Sequence, residues 1–431
     1  MTATFGGGRR CRSPHLLFAA LALAVPSAPA LAAPAASLAQ DQVALAIRAE
    51  VGGWMARVYR ERGYRPLWAK DGRIGPAAAA LLDALDTADR DGLKPRDTRR
   101  LREAIDRAAT PQEVARAELA LSDAFVAYVR DQRKPRDDRT DWADKRLKAK
   151  RPDREVVLRA AFFPKDFAGY LRDMGWMSPQ YVRLRALMPR AGNGAARDRL
   201  RRNLDRARLL PGPWTRHVLV DASSGRLWYF EAGKQVGTMR VVVGAKETQT
   251  PLLAGTLQWA ILNPYWNVPT YLARKSVAPK VLAGRSLASL RMEALSDWSA
   301  AAQRLPATAI DWHAVAAGER EVRLRELPGA GNSMGRVKFL FPNDEGIYLH
   351  DTNERDLLTA PDRHFSNGCI RLADAPALAR WLMGKPLSVK GLPPEQARAL
   401  PVPVPVYLTY LTVADDTRRL AFRDDVYGRD G

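Results

Sequence analysis

The spacing of apolar positions changes once along the chain. Over residues 41–131 they recur three or four apart, the period of one helical face. Asp41 to Arg62 is an Ala- and Arg-rich amphipathic stretch. Gly75-Pro76 opens a second helix, with Leu81, Leu82, Leu85 and Ala88 on one side and Asp91-Gly92 closing it. Thr110-Pro111-Gln112-Glu113 is a capping box with proline at the first helical position. Val114, Ala117, Leu121, Phe125 and Tyr128 follow at helical spacing and read as packing core. Residues 132–155 are highly charged, hold Pro135 and Pro152, and read as a linker. Helix resumes from Arg154 to Arg208, broken near Pro164, Pro179 and Pro189, with a turn at Gly192-Asn193-Gly194.

After Pro211-Gly212-Pro213 the pattern becomes that of strands. His217 to Asp221, Arg226 to Glu231 and Val236 to Val243 are short runs parted by the turn signals Ser223-Ser224-Gly225 and Ala232-Gly233-Lys234. Thr256 to Leu262 is a fourth. Residues 270–330 are less regular, with a helix predicted over Ser286 to Arg304. Strand character returns at Val337 to Phe341, Gly346 to His350, Pro386 to Lys390 and Val404 to Thr412. Asp374 is placed to cap a short helix that ends at Gly384. The expected class is α+β: a helical domain over 34–210, then a mainly-β domain over 211–431 that carries a long insertion.

Composition narrows the setting. The 431 residues allow roughly two or three domains at ~150 residues each, and 46% hydrophobic content is that of a globular chain. A formal charge of +21 points to an anionic partner. The basic residues are dispersed, and no finger, zipper or aromatic RNA-binding signature accompanies them, so no nucleic-acid partner is expected. Residues 1–33 read as a signal peptide: Arg9, Arg10 and Arg12, then the apolar run Leu16 to Val25, then Ala30-Leu31-Ala32 as cleavage site. Export to the periplasm is expected. No later run reaches ~18 apolar residues, so the mature chain is not expected to span a membrane. Removal of the signal takes Cys11 and leaves Cys369 as the sole thiol, with no internal disulfide open to it.

Cys369 sits in a striking neighbourhood of candidate groups only when two segments are taken together. Ile347-Tyr348-Leu349-His350-Asp351-Thr352 is an apolar strand ending in histidine; nineteen positions on, His364-Phe365-Ser366-Asn367-Gly368-Cys369-Ile370-Arg371-Leu372 places the cysteine in a Gly-containing turn, read as leading into a helix. Gly368 permits close backbone approach, and successive N–H groups there can hold an oxyanion. A positive helix end would favour thiolate, and a histidine within reach would complete an activated nucleophile. Arg371 could hold a carboxylate through a bidentate bond. The plainer alternatives are an inert buried cysteine, a satisfied core histidine at 350, a surface arginine at 371 and a roleless loop histidine at 364. Zinc binding by His350, Asp351, His364 and Cys369 lacks the short paired spacing of such sites, so no metal is expected.

Ser366-Asn367-Gly368-Cys369-Ile370-Arg371 resembles the (S/T)xGCxR signature of the L,D-transpeptidase (YkuD-like) catalytic domain, and His350 lies upstream at that family's distance. Asn263-Pro264-Tyr265-Trp266-Asn267-Val268-Pro269, Val241-Val242-Val243-Gly244 with Thr250-Pro251, and Leu327-Pro328-Gly329 with Asn332, Gly335, Val337, Lys338 and Phe339 resemble segments of its large periplasmic subgroup. Tyr64-Arg65-Pro66-Leu67-Trp68 and Asp91-Gly92-Leu93 are similar to its helical scaffold. The resemblance spans about residues 45–428.

It implies a cysteine acyltransferase that needs no cofactor. Cys369 would attack the third-residue carbonyl of a peptidoglycan stem tetrapeptide and expel D-alanine, with His350 as base for the thiol or as its partner in an ion pair. The thioester would pass to an amine on a second stem. Gly368 and Cys369 N–H groups would form the oxyanion hole, helped by Tyr348. Ser366, Asn367 and Asp351 would support the site, and Arg371, Trp266 and Asn267 would contact substrate. Residues about 270–335 would form a capping lid, and carbapenems would acylate the cysteine. Two departures stand out. Asn367 takes the place of a histidine common in the family, and the region 180–205 has no room for the peptidoglycan-binding module usual in large relatives. Wall anchoring then falls to the basic surface. A wall-peptide cysteine hydrolase of papain type is disfavoured because His350 precedes Cys369. A non-catalytic wall-binding protein is disfavoured by the retained His, Cys and Arg.

Overall fold

The computed structural model describes residues 35–136, 139–299, 301–414 and 419–431. The signal-peptide reading of residues 1–33 lies outside these. The N-terminal half is helical. Helix Ala35–Glu50 is separated from Met55–Glu61 at Gly52-Gly53, so the stretch predicted as continuous is two helices. Helix Ala77–Asp86 follows, and then the longest, Pro111–Gln132, whose capping box forms as the sequence requires. Helices Pro179–Leu187 and Ala195–Arg208 close the region.

Among the described residues the C-terminal half is built on a ten-stranded sheet: β1 (Asp141–Trp142), β2 (His217–Asp221), β3 (Arg226–Glu231), β4 (Lys234–Gly244), β5 (Leu253–Leu262), β6 (Val337–Leu340), β7 (Leu349–His350), β8 (Ile370–Leu372), β9 (Gln396–Thr409) and the short strand His364–Ser366, which lies parallel to β4. They pair in the order β6-β7-β8-β4-β3-β2-β9-β5, and β6 also pairs with β5, so the sheet closes on itself. Closure removes the exposed edges that an open sheet must protect. Strand β1 adds in parallel to the free part of β5. It lies in the charged segment read as a linker, a pairing that uses backbone groups and leaves little trace in side-chain pattern.

Three hydrophobic cores result. One fills the ring, with Leu349, Ile370, Phe339 and Val241 among its buried members. A second packs the helices and continues onto the outside of the ring through Leu219, Phe230, Ala254 and Tyr407. A third, around Trp312, Leu324 and Val277, belongs to the insertion. The insertion has its own four-stranded sheet, with Met292–Leu295 between Arg304–Leu305 and Arg323–Glu326, and Trp266–Asn267 at the edge. The helix predicted over Ser286 to Arg304 is therefore two strands, because pairing with Arg323–Glu326 overrides the local helical bias. No strand forms at Pro386 to Lys390 either. Pro386 offers no N–H, and Leu387 and Val389 pack on the ring core as irregular chain. Asp374 accepts from the Ala377 N–H and caps helix Ala375–Met383, which ends at left-handed Gly384.

Among the described residues, no helix is long and apolar enough to cross a membrane.

Candidate active site

Strands β7 and β8 run parallel, with Leu349 opposite Ile370 and His350 opposite Arg371. Alternation along each strand then sends Tyr348, His350, Cys369 and Arg371 to one face and Leu349 and Ile370 to the core. Strand β6 adds Lys338 directly opposite His350. The result is a row of Lys338, His350 and Arg371 across three strands, with the cysteine and tyrosine one step behind.

His350 is buried, and its Nδ1–H donates to the Asp351 backbone carbonyl at 2.6 Å. A carbonyl can only accept, so this bond places the proton on Nδ1 and the lone pair on Nε2. Asp351 serves through its main chain. Its carboxylate is turned elsewhere, accepting from the Arg336 N–H at 2.9 Å and from Arg355 Nη2 at 2.6 Å. Burial, and then Arg371 and Lys338, disfavour the imidazolium and push the His350 pKa down to about 3.

Cys369 is partly exposed, with its thiol 3.6 Å from the Gly346 carbonyl. Its pKa is pushed up to about 11 by burial, against smaller opposing effects from the Tyr348 N–H and phenol and from Arg371. At neutral pH the resting site therefore presents a protonated thiol and a neutral imidazole on one face of neighbouring strands. The helix that follows the cysteine turn begins only at Ala375, after strand β8, so the cysteine does not stand at its first turn.

Ser366 shapes the turn. Its hydroxyl donates to the Cys369 carbonyl at 2.6 Å and accepts from the Gly368 N–H at 3.2 Å. Gly368 has φ +106°, a backbone conformation that calls for glycine, and a Cβ there would also press on the tip of the Ile347 side chain. The Gly368 N–H, expected in the oxyanion hole, is already taken by Ser366. The Cys369 N–H makes no hydrogen bond among the described residues, which leaves it as the available donor. Asn367 is exposed at the turn tip. Arg371 is ion-paired with Glu354, so a substrate carboxylate would share or replace that partner. Trp266 and Asn267 lie in the insertion sheet opposite Glu326 and Arg325, and neither bonds to the cysteine or histidine. His364 pairs with Asp362 and packs edge-on against Tyr427, away from the row.

Sequence reading passed over Lys338 as a site residue. It was visible as part of a motif, but only the β6–β7 register puts it beside His350. Among the described residues no His, Cys, Asp and Glu group could hold a metal ion. A cavity of about 1000 Å³ lies elsewhere, lined by residues between 163 and 186 and by the Ala232-Gly233-Lys234 turn.

Residues 215–404 match the L,D-transpeptidase catalytic domain and residues 53–188 the Scaffold domain. A Haemophilus influenzae protein provisionally named an L,D-transpeptidase is 24% identical over 393 residues, covering 87% of this chain and 78% of its own. Two solved structures, an Ldtfm–avibactam carbamoyl enzyme and an L,D-transpeptidase from Mycobacterium smegmatis, are each 13% identical, with TM-scores of 0.22 and 0.21. They cover 46% and 45% of this chain, which spans 49% and 58% of theirs. The chain thus joins a Scaffold domain to an L,D-transpeptidase catalytic domain.

Proposed function

We propose that the chain is an exported L,D-transpeptidase of the periplasm that cross-links peptidoglycan through a thioester on Cys369. The observation that carries this reading is the shared face of Cys369 and His350, with the imidazole lone pair fixed on Nε2. Nε2 takes the thiol proton as Sγ bonds to the third-residue carbonyl carbon of a stem tetrapeptide. The carbonyl π electrons move onto oxygen, where the Cys369 N–H stabilises them, with the Tyr348 phenol as second donor. Collapse breaks the C–N bond. The imidazolium returns its proton to the departing D-alanine nitrogen. An amine of a second stem then attacks the thioester, gives its proton to His350, and leaves a 3–3 cross-link with the thiol restored.

Because the resting pair is neutral, proton transfer and attack are coupled, and a bound substrate that excludes water strengthens the donors. Arg371 orients a substrate carboxylate, while the insertion that holds Trp266 and Asn267 caps the cleft. Carbapenems acylate the same sulfur. The basic surface holds the protein to the anionic wall, so raised salt lowers sacculus binding.

The test is incubation of wild type and Cys369→Ala with disaccharide tetrapeptide, followed by intact mass and muropeptide analysis. An adduct on the wild type only, together with cross-linked dimers, is expected. Tripeptides without dimers would assign hydrolysis instead, and no adduct on either protein would remove the proposal.

A further inference from the structure

Lys338 stands beside the catalytic histidine without a part in the chemistry above. Its Nζ is 3.1 Å from Glu395 Oε1, and its side chain is only 16% exposed. The same carboxylate oxygen accepts the Tyr265 N–H at 2.7 Å, and the Glu395 N–H donates to the Asn263 carbonyl at 3.0 Å. Asn263 and Glu395 both hold positive φ, 52° and 57°, so the two segments meet in a tight, specified knot. Residues 263–265 are where the chain enters the insertion, and Arg336 to Lys338 is where it leaves. Glu395 therefore ties both roots of the insertion to the active-site row.

The row has a symmetry of charge. Lys338 and Arg371 flank His350, and each is held by one glutamate, Glu395 and Glu354. Both glutamates are more exposed than the cations they hold. Such half-exposed pairs contribute little and are readily exchanged for a better-placed anion. A lysine opposite the histidine, on the face that also carries the thiol, is suited to receive a carboxylate as a point charge.

We propose that Lys338 is a specificity-determining residue of the acyl-donor site, exchanging Glu395 for a carboxylate of the incoming peptide. This rests on the stem-peptide reading for its substrate. In that reading the donor carries one such group on the leaving residue, and a third residue with an acidic side chain brings a second. Exchange frees the Glu395 carboxylate from Lys338 while it still holds Tyr265, so arrival of a donor is felt at the root of the insertion.

A direct probe needs no peptide. Cys369 is alkylated with iodoacetate and with iodoacetamide, and labelling at that residue is followed by peptide mass. The anionic-to-neutral rate ratio is expected to fall about threefold to tenfold in Lys338→Met, to be kept in Lys338→Arg, and to rise in Glu395→Gln. An unchanged ratio in Lys338→Met overturns the proposal. The source of the carboxylate is then read with tetrapeptide donors amidated at one carboxyl or the other. Wild type should prefer one free carboxylate by about tenfold in kcat/KM, and Lys338→Met should lose that preference. Equal loss on all donors marks a merely structural lysine and also overturns it. Wild type that acylates with no donor removes the transpeptidase reading instead, while the alkylation ratio still decides the role of Lys338.

Discussion

Glu118 in the helical half and Cys369 in the ring are both ionisable groups drawn out of water, and their surroundings differ in one respect. Glu118 is fully buried and satisfied: it accepts the N–H groups of Leu67, Trp68 and Ala69 and the Tyr59 hydroxyl, at 2.6 to 3.1 Å. Every donor comes from the scaffold itself, so the carboxylate works as a staple between helix Pro111–Gln132 and the segment before Ala77. Asp91 does the same for Tyr128, Tyr181, Arg185 and Gln132. Cys369 and His350 are left incomplete. The thiol has a weak contact to the Gly346 carbonyl and the Tyr348 N–H and phenol nearby, and the imidazole is held by one nitrogen only. Burial with full compensation fixes a fold; burial with one valence left open makes a reagent.

Removing the reagent has the largest expected effect. Cys369→Ala should lower acyl-adduct formation by ~10³-fold or more, measured by intact mass over time. His350→Gln keeps a polar ring-sized group but no base, and should lose ~10²- to 10⁴-fold in the same assay. Ser366→Ala removes the bonds to the Cys369 carbonyl and Gly368 N–H, and should cost roughly tenfold in acylation with little change in folding. The staple should behave the other way. Glu118→Ala strands the buried Trp68 and Ala69 N–H groups, at ~1–3 kcal/mol each before relaxation, and the half-buried Leu67 N–H as well. It should lower the melting temperature by several degrees in calorimetry, while alkylation of Cys369 in the still-folded protein keeps its wild-type rate. A Glu118 variant that slowed alkylation as much as Ser366→Ala would dissolve the contrast between the two regions.

Much of the fold lay open in local pattern. The Thr110 capping box, the Asp374 cap and the hairpins around Gly225 and Gly233 are decided by a few adjacent residues. The candidate pair Cys369 and His350 is legible because the Ser366 to Arg371 turn and the strand before His350 are themselves local. What escaped depends on partners far along the chain. Strand Met292–Leu295 exists because Arg323–Glu326 pairs with it, and β1 because β5 leaves an edge beside it. The place of Lys338 follows from register. The choice of the Asp351 carbonyl over its carboxylate follows from Arg336 and Arg355 claiming the side chain. The short strand between the Cys369 turn and helix Ala375–Met383, which local pattern does not announce, is held by β7 and β4 on either side.

The sharpest test is the pH dependence of Cys369 alkylation by iodoacetamide. A thiol pushed up to about 11 is protonated throughout the neutral range, so only its thiolate fraction reacts. The rate should climb about tenfold per pH unit from 7 toward 10, without a plateau, in both wild type and His350→Gln. A rate already level at pH 7 that falls only below it, and loses that plateau in His350→Gln, would mean a preformed thiolate–imidazolium pair and contradict the account.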